Sequence, residues 1–356
     1  MPSLRNFPHR PWIVPVGGFL GAGKTTLILA AARILRKRGL HSAVVLNDQG
    51  QDLVDTAYAA NLGLAADEVM GGCFCCRFSE LISAADRLHA LAPNVIFIEP
   101  VGSCTDLAAT LLRPLQRDFL DRYQVAPLTV IVDPPQARQI EAGVADANVE
   151  YLFQHQLAEA DIVAFSKCDR YSDFPELPGV KARRMSAVTG SGVDAWLDEI
   201  LSGEITSGAK SLDIDYQEYA AAEAALAWLN WSATVETQPP RSSAQIVGPF
   251  LDKLQAALTS AGGKIAHVKV LTQSDGCYLK AGLTSNDGEP IVEGDLAASP
   301  SERHQIRVNV RALLAETELD RIFRWTLLEL PGIRSAERFQ CFSPAAPVPE
   351  RRIEIT

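Results

Sequence analysis

Short apolar runs alternate with amphipathic stretches through the first two hundred residues. "WIVPV" (12–16), "SAVVLN" (42–47), "NVIFIE" (94–99), "LTVIVD" (128–133) and "DIVAFS" (161–166) are almost continuously apolar, as strands buried on both faces of a parallel sheet are. Between them the pattern turns helical. In "TTLILAAARILRKRG", Leu27, Ala31, Ile34 and Leu35 share one face, Arg36 to Arg38 form a basic last turn, and Gly39 stops the helix. Strand–helix alternation predicts an α/β domain with a doubly wound, mostly parallel sheet over residues 1–205. Pro15 resists this reading, because it removes a ladder donor from a strand that belongs in the sheet centre.

The pattern changes after the glycine- and serine-bearing linker "LSGEITSGAKS" (201–211). "AALAWLNWSATVE", "KIAHVKVLTQ", "GCYLKAGL" and "HQIRVNVR" read as strands, whereas "IVGPFLDKLQAALTSAG" and "TELDRIFRWTLL" read as helices. This predicts a smaller C-terminal α+β domain over 212–345, one antiparallel sheet covered by two helices. The proline-rich end, 346–356, is expected to be a flexible tail.

Composition narrows the class. The chain has 356 residues, enough for two domains, and at 47% hydrophobic and 21% charged it is far from disorder. A net charge of -10 argues against nonspecific nucleic-acid binding. No apolar run reaches the roughly 18 residues of a membrane span, and prolines and glycines break the N-terminal apolar stretch, so it reads poorly as a signal peptide. The seven cysteines are odd in number and unevenly spaced, which argues against a disulfide framework and for a cytoplasmic protein.

Gly18-x-x-x-x-Gly23-Lys24-Thr25 is a full Walker A pattern between an expected strand and an expected helix. Gly18, Gly21, Ala22, Gly23, Lys24, Thr25 and Thr26 are therefore the candidate phosphate cradle, with the Thr25 hydroxyl a Mg²⁺ ligand. "IEPVG" ends a strand on Glu99, where a second Mg²⁺ or water-positioning group belongs, and Gly102 can present its N–H to a γ-phosphate. "SKCD" resembles the Asn-Lys-x-Asp element of GTPases with Ser166 in place of asparagine. Asp169 would accept from guanine, Lys167 would pack on the base, and Ser186-Ala187 would lie near guanine O6.

Three of the cysteines, Cys73, Cys75 and Cys76, stand within "GGCFCC". Thiolates at this spacing suit Zn²⁺ or Co²⁺ if the backbone turns, which Gly71-Gly72 permits. Buried thiols packing as small hydrophobes beside Phe74 and Phe78 are the competing reading. The fourth ligand is open among Asp48, Glu68, His89 and Cys104. Cys104 itself reads more readily as a packed thiol.

The ordered set "GGFLGAGKTTL", "LNDQGQDLVD", "GGCFCC", "IEPVG", "QLAEADIVAFSKCD" and "SAVTGSGVDAWL" resembles the CobW-like metal-centre GTPases, related to the hydrogenase and urease nickel-insertion proteins. The resemblance covers about residues 12 to 200. It implies slow GTP hydrolysis to GDP with Mg²⁺, a switch matched by Asn47, Asp48, Gly50 and Asp55, and a transition-metal site at Cys73, Cys75 and Cys76. Lys24, Glu99 and Asp48 are the expected catalytic group. Where the family has Glu-Phe-Gly, this chain has Asp48-Gln49-Gly50. The chain also lacks a histidine-rich stretch, and its second domain lacks the family's arginine-phenylalanine signature. The resemblance implies a metallochaperone that delivers its ion to a client metalloprotein; the alternative is a GTP-dependent assembly or reactivation factor for a cobalamin enzyme, or an accessory protein of cobalamin synthesis. Neither a nucleic-acid nor a membrane partner is expected, and homodimerisation stays open.

Overall fold

A computed structural model describes residues 10–50 and 54–354. The described residues divide into two compact units: 10–49, 59–222 and 346–354 form the first, and Gly50, 54–58 and 223–345 form the second.

The first unit is built on a sheet whose central strands are parallel and nearly all buried. Its strands are β1 (Trp12–Gly17), β2 (Ser42–Asp48), β3 (Ala65–Met70), β4 (Val95–Glu99), β5 (Gln124–Val125), β6 (Thr129–Val132), β7 (Ile162–Phe165) and β8 (Arg183–Arg184). The order across the sheet is β3-β2-β4-β1-β6-β7-β8, with β5 also pairing β1. Helices α1 (Lys24–Lys37), α3 (Phe78–His89), α4 (Arg113–Asp118), α5 (Pro134–Glu141), α6 (Ala147–Glu159) and α7 (Val193–Ile200) intervene, and a π-helical turn, Ala108–Leu112, leads into α4. Two further helices, α2 (Val54–Asn61) and α8 (Tyr216–Ala224), carry the chain from one unit into the other. The doubly wound parallel sheet expected from the apolar runs is the one found.

Register explains Pro15. Trp12 N–H donates to Asn94 beside β4, and Ile13 C=O accepts from Ala126 on the opposite side. Alternation therefore aims the Pro15 nitrogen away from β4. On that side β1 pairs β5 only at Trp12 and Ile13, and β6 only at Val16 and Gly17. The proline sits where one neighbour has ended and the next has not begun, so no ladder bond is lost.

The second unit is a six-stranded antiparallel sheet. Its strands are β9 (Leu226–Arg241), β10 (Lys264–Ser274), β11 (Cys277–Leu283), β12 (Ile291–Gly294), β13 (Ser301–Leu313) and β14 (Ile333–Phe342), in the order β12-β11-β10-β13-β9-β14. Helices α9 (Ser243–Ser260) and α10 (Glu316–Leu327) pack on one face, over Leu229, Trp231, Val268, Val270, Val308 and Val310. Ser242 and Gln245 close a reciprocal capping box at the start of α9.

The other face alternates with that core and is polar: Asn230, Lys269, Asn309 and Arg311. It is met by Gly50 and by residues 54–58. Val54 N–H donates to Asn309 Oδ1 (3.0 Å), Asp55 pairs with Lys269, and Tyr58 bonds Glu293 beneath the Lys280 ammonium (4.0 Å from the ring). Gly50 lies so close to Asn230 that a Cβ there would stand 1.4 Å from its amide nitrogen. Residues 51–53 lie outside the described residues.

Candidate nucleotide and thiol site

Every expected phosphate-site residue lies at a carboxyl end of the parallel strands, where open α/β sheets bind ligands. The loop from Gly18 to Gly23 runs from β1 into α1. Lys24 and Thr25 are buried in the first turn, and Thr26 follows half-buried. Lys24 Nζ donates to Gly18 O (2.9 Å) and Phe19 O (3.3 Å). Thr25 Oγ1 donates to Glu99 Oε1 at 3.0 Å. Two hard oxygens at that separation match the roughly 3 Å ligand edge of an octahedral Mg²⁺ site, so these residues fit the ion. Gly102 presses on the same loop: a Cβ there would lie 2.9 Å from Leu20 N and 3.0 Å from Lys24 Nζ. Only glycine fits.

The base loop also assembles. Lys167, in a left-handed backbone conformation at φ 56°, reaches Gly21 O (3.2 Å) and pairs with Asp133 (3.0 Å). Asp169 is exposed and accepts from Ser186 Oγ at 2.6 Å. Ala187 follows, half-buried. Cys168 N–H to Met185 O ties the two loops together. Asp133 was not singled out in the sequence, although it is a carboxylate closing an apolar strand, the same signal that marked Glu99. Burial raises its pKa, and Lys167 opposes that rise.

The expected turn at the cysteines is present. Cys76 N–H and Arg77 N–H both donate to Cys73 O, closing the backbone. The sulfurs converge at 2.6 Å (73–75), 3.2 Å (73–76) and 3.7 Å (75–76). Among the described residues they form a group of three candidate ligands within 4.8 Å of one another. Cys73 and Cys75 are buried and Cys76 half-buried. Hydrogen bonds from Cys104, Cys75 and Cys76 hold the Cys73 thiol well below its ordinary pKa. Hydrogen bonds with Cys104 and Cys73 push Cys75 up, and the hydrogen bond with Cys73 pushes Cys76 up to about 11. The cluster thus gives up its first proton readily and the next ones late, as neighbouring acids do.

Asn47 fixes this loop. Its amide donates to Val69 O (3.0 Å) and Gly72 O (2.8 Å), and its oxygen accepts Phe74 N–H (2.7 Å). Of the residues matched to a switch, Asn47 therefore serves the thiol loop, Asp48 ends β2 opposite Met70, and Gly50 and Asp55 belong to the second unit. His89 ends α3 and stacks on Tyr123. Eleven residues of helix put it about 16 Å from the end that follows the cysteines, too far to ligate there.

Of residues 346–356, expected as a flexible tail, 346–354 are part of the first unit. Val348 N–H donates to Cys76 Sγ (3.2 Å) and Glu350 N–H to Cys75 O (2.9 Å). The Glu350 carboxylate caps the start of α3 through Ser79 N–H and Oγ, and Arg352 pairs with buried Asp106 (2.8 Å). Nothing in the proline-rich pattern signalled these contacts, because they depend on where the chain returns.

A phosphate loop, a strand-end carboxylate and an expected base loop at the carboxyl end of a parallel sheet define a P-loop nucleotide-binding protein. The family described as CobW/HypB/UreG, nucleotide-binding domain, matches residues 12–190, and the chain belongs to it. It is 30% identical over 161 residues to the zinc chaperone YeiR of Escherichia coli (strain K12), covering 44% of this chain and 46% of that protein. It is 31% identical over 162 residues to the zinc chaperone YjiA of the same organism, covering 43% and 48%. The chain thus spans about half the length of the curated relatives it matches. Among solved structures, Helicobacter pylori HypB in complex with nickel aligns with a TM-score of 0.40 at 17% identity, covering 55% of this chain and 87% of that one. Zn(II)-bound YjiA GTPase from E. coli aligns at 0.31 and 16%, covering 89% and 99%. No helix among the described residues is long and apolar enough to cross a membrane.

Proposed function

We propose that this protein is a GTP-hydrolysing metallochaperone that carries a transition-metal ion on Cys73, Cys75 and Cys76 and releases it to a client protein. The observation that carries the reading is the convergence of those three sulfurs within 3.7 Å, on a loop held by Asn47 one residue from Asp48. Zinc is the favoured cargo: thiolates suit it, and both curated relatives are named zinc chaperones. Cobalt fits the same donors.

In this reading the loop from Gly18 to Thr26 and Lys24 hold the phosphates. Thr25 and Glu99 would hold a Mg²⁺ ion, which would supply charge neutralisation for the phosphates. Asp48 and Glu99 orient water, Asp169 accepts from guanine, and Ser186 holds Asp169 in place through its 2.6 Å bond. Ser166, whose hydroxyl donates to Val132 O at 3.2 Å, leaves guanine recognition resting on Asp169.

Anaerobic zinc competition with a chromophoric chelator, with and without a non-hydrolysable GTP analogue, tests the reading. Stoichiometric zinc binding should disappear when Cys73, Cys75 and Cys76 are all changed to serine. Affinity that survives the triple change, or is the same with and without the analogue, would sink the chaperone and favour a cobalamin-enzyme assembly factor with structural cysteines.

A further inference from the structure

The cysteine motif supplies three sulfurs, and a tetrahedral site asks for a fourth donor. Cys104 lies in the loop after β4 and is 1% exposed. Its thiol shares hydrogen bonds with both Cys73 and Cys75. It therefore meets the two buried members of the cluster, while Val348 N–H approaches Cys76 from the tail. Around zinc, four sulfurs at about 2.3 Å stand about 3.8 Å apart. The 2.6 Å and 3.2 Å separations about Cys73 are shorter, so the triangle has to open to admit an ion between itself and Cys104.

The backbone of Cys104 is tied to the phosphate loop. Gln156 is buried, and its amide donates to Gly102 O (3.0 Å) and Cys104 O (2.9 Å) together. One side chain thus ties the backbone of the glycine pressed against Lys24 to the backbone that carries the Cys104 thiol. Movement of Gly102 with the occupancy of the phosphate site would carry Cys104 with it.

We infer that Cys104 is the fourth sulfur ligand of the metal site, and the ligand through which the phosphate loop adjusts that site. This rests on the metallochaperone reading above and adds to it a residue outside the cysteine motif. Four thiolates favour a soft ion over a hard one such as Mg²⁺. Withdrawal of one of the four leaves a three-sulfur site with an open position, the form from which a partner can take the ion.

Two measurements test this on the full chain. X-ray absorption at the zinc edge of the wild-type protein, loaded with zinc alone, should give a first shell of four sulfurs. Three sulfurs with one oxygen or nitrogen would overturn the proposal. Cobalt titration of Cys104→Ser and Cys104→Val should show about a quarter of the thiolate-to-cobalt absorption lost in both variants. Zinc affinity should fall at least tenfold in both, with a smaller effect of the GTP analogue. Valine fills the place of a packed thiol but donates no electrons, so a wild-type cobalt spectrum in Cys104→Val would also overturn it. Failure of the underlying reading looks different: the triple serine variant would then bind zinc as wild type does.

Discussion

The two units bury polar side chains in different places. In the first, Lys24, Thr25, Asn47, Glu99, Asp133 and Ser186 are buried at or just beyond strand ends, where a parallel sheet leaves room for a ligand. In the second, Asn230, Asn309, Arg311 and His267 are buried in mid-strand. Asn309 donates to Asn230 Oδ1 (2.9 Å), and Arg311 donates to Leu229 O (2.9 Å) while its guanidinium lies over Trp228 at 4.0 Å. The strand-end groups of the first unit line the loops expected to hold a ligand, whereas Asn309 and Arg311 in mid-strand bond within their own sheet, and Asn309 also accepts from Val54 N–H. Perturbing the first set should cost ligand affinity; perturbing the second should cost stability.

Glu159 tests that rule hardest, since it is buried in the first unit yet is satisfied by the fold. It accepts from Thr105 Oγ1 (3.1 Å) and Ala108 N–H (3.0 Å), and burial pushes its pKa up to about 8. A raised pKa means the folded state binds the proton more tightly. The stabilisation is therefore complete below the unfolded value near 4.5 and is lost as pH rises through about 8. Across that window wild-type stability should fall by the order of a few kcal/mol. Glu159→Gln, which stays neutral, should lose this slope in urea denaturation at stepped pH; an unchanged slope would place the titration elsewhere.

Next in size is Asn309→Ala. It strands Val54 N–H and the Asn230 oxygen, and should cost about 2–3 kcal/mol in a chemical-denaturation series while leaving zinc stoichiometry alone. Gly102→Ala should do the reverse. Its Cβ collides with Leu20 and Lys24, so nucleotide affinity by fluorescence titration should drop about tenfold, or ~1.4 kcal/mol. A strong stability loss without an affinity loss would break the comparison. The smallest effect belongs to Asp55→Asn, which weakens a pair whose side chains are 19% and 20% exposed. About 0.5–1 kcal/mol of stability should go, and added salt should shrink the difference.

Legibility followed burial. Central strands announced themselves because both faces are apolar. The edge strands β3, β8, β12 and β14 went unread because an edge needs little apolar surface: β14, "IRSAERFQCF", has no fully buried residue. The Walker A glycines, Glu99, Asp169 and the cysteine triplet were legible because each chemistry requires fixed spacing within a few residues. Gln156, Asp133 and the tail were not, since their partners are distant in sequence. Gln156 stands 54 residues from Gly102, and Val348 stands 272 from Cys76.

The sheet, the phosphate loop and the existence of a thiol cluster are written in the sequence, because periodicity and local spacing encode strands, turns and short-range ligand sets. The folded arrangement sets which side chains surround that cluster. Asn47, Cys104 and the tail reach Cys73–Cys76 through strand order and chain return. It also decided that Gly50 and residues 54–58 belong with the second sheet, where Asp55, Tyr58 and the Val54 backbone meet polar groups more than two hundred residues away. Such meetings are set by the energy of satisfying buried donors and acceptors across the whole fold, which no local window records.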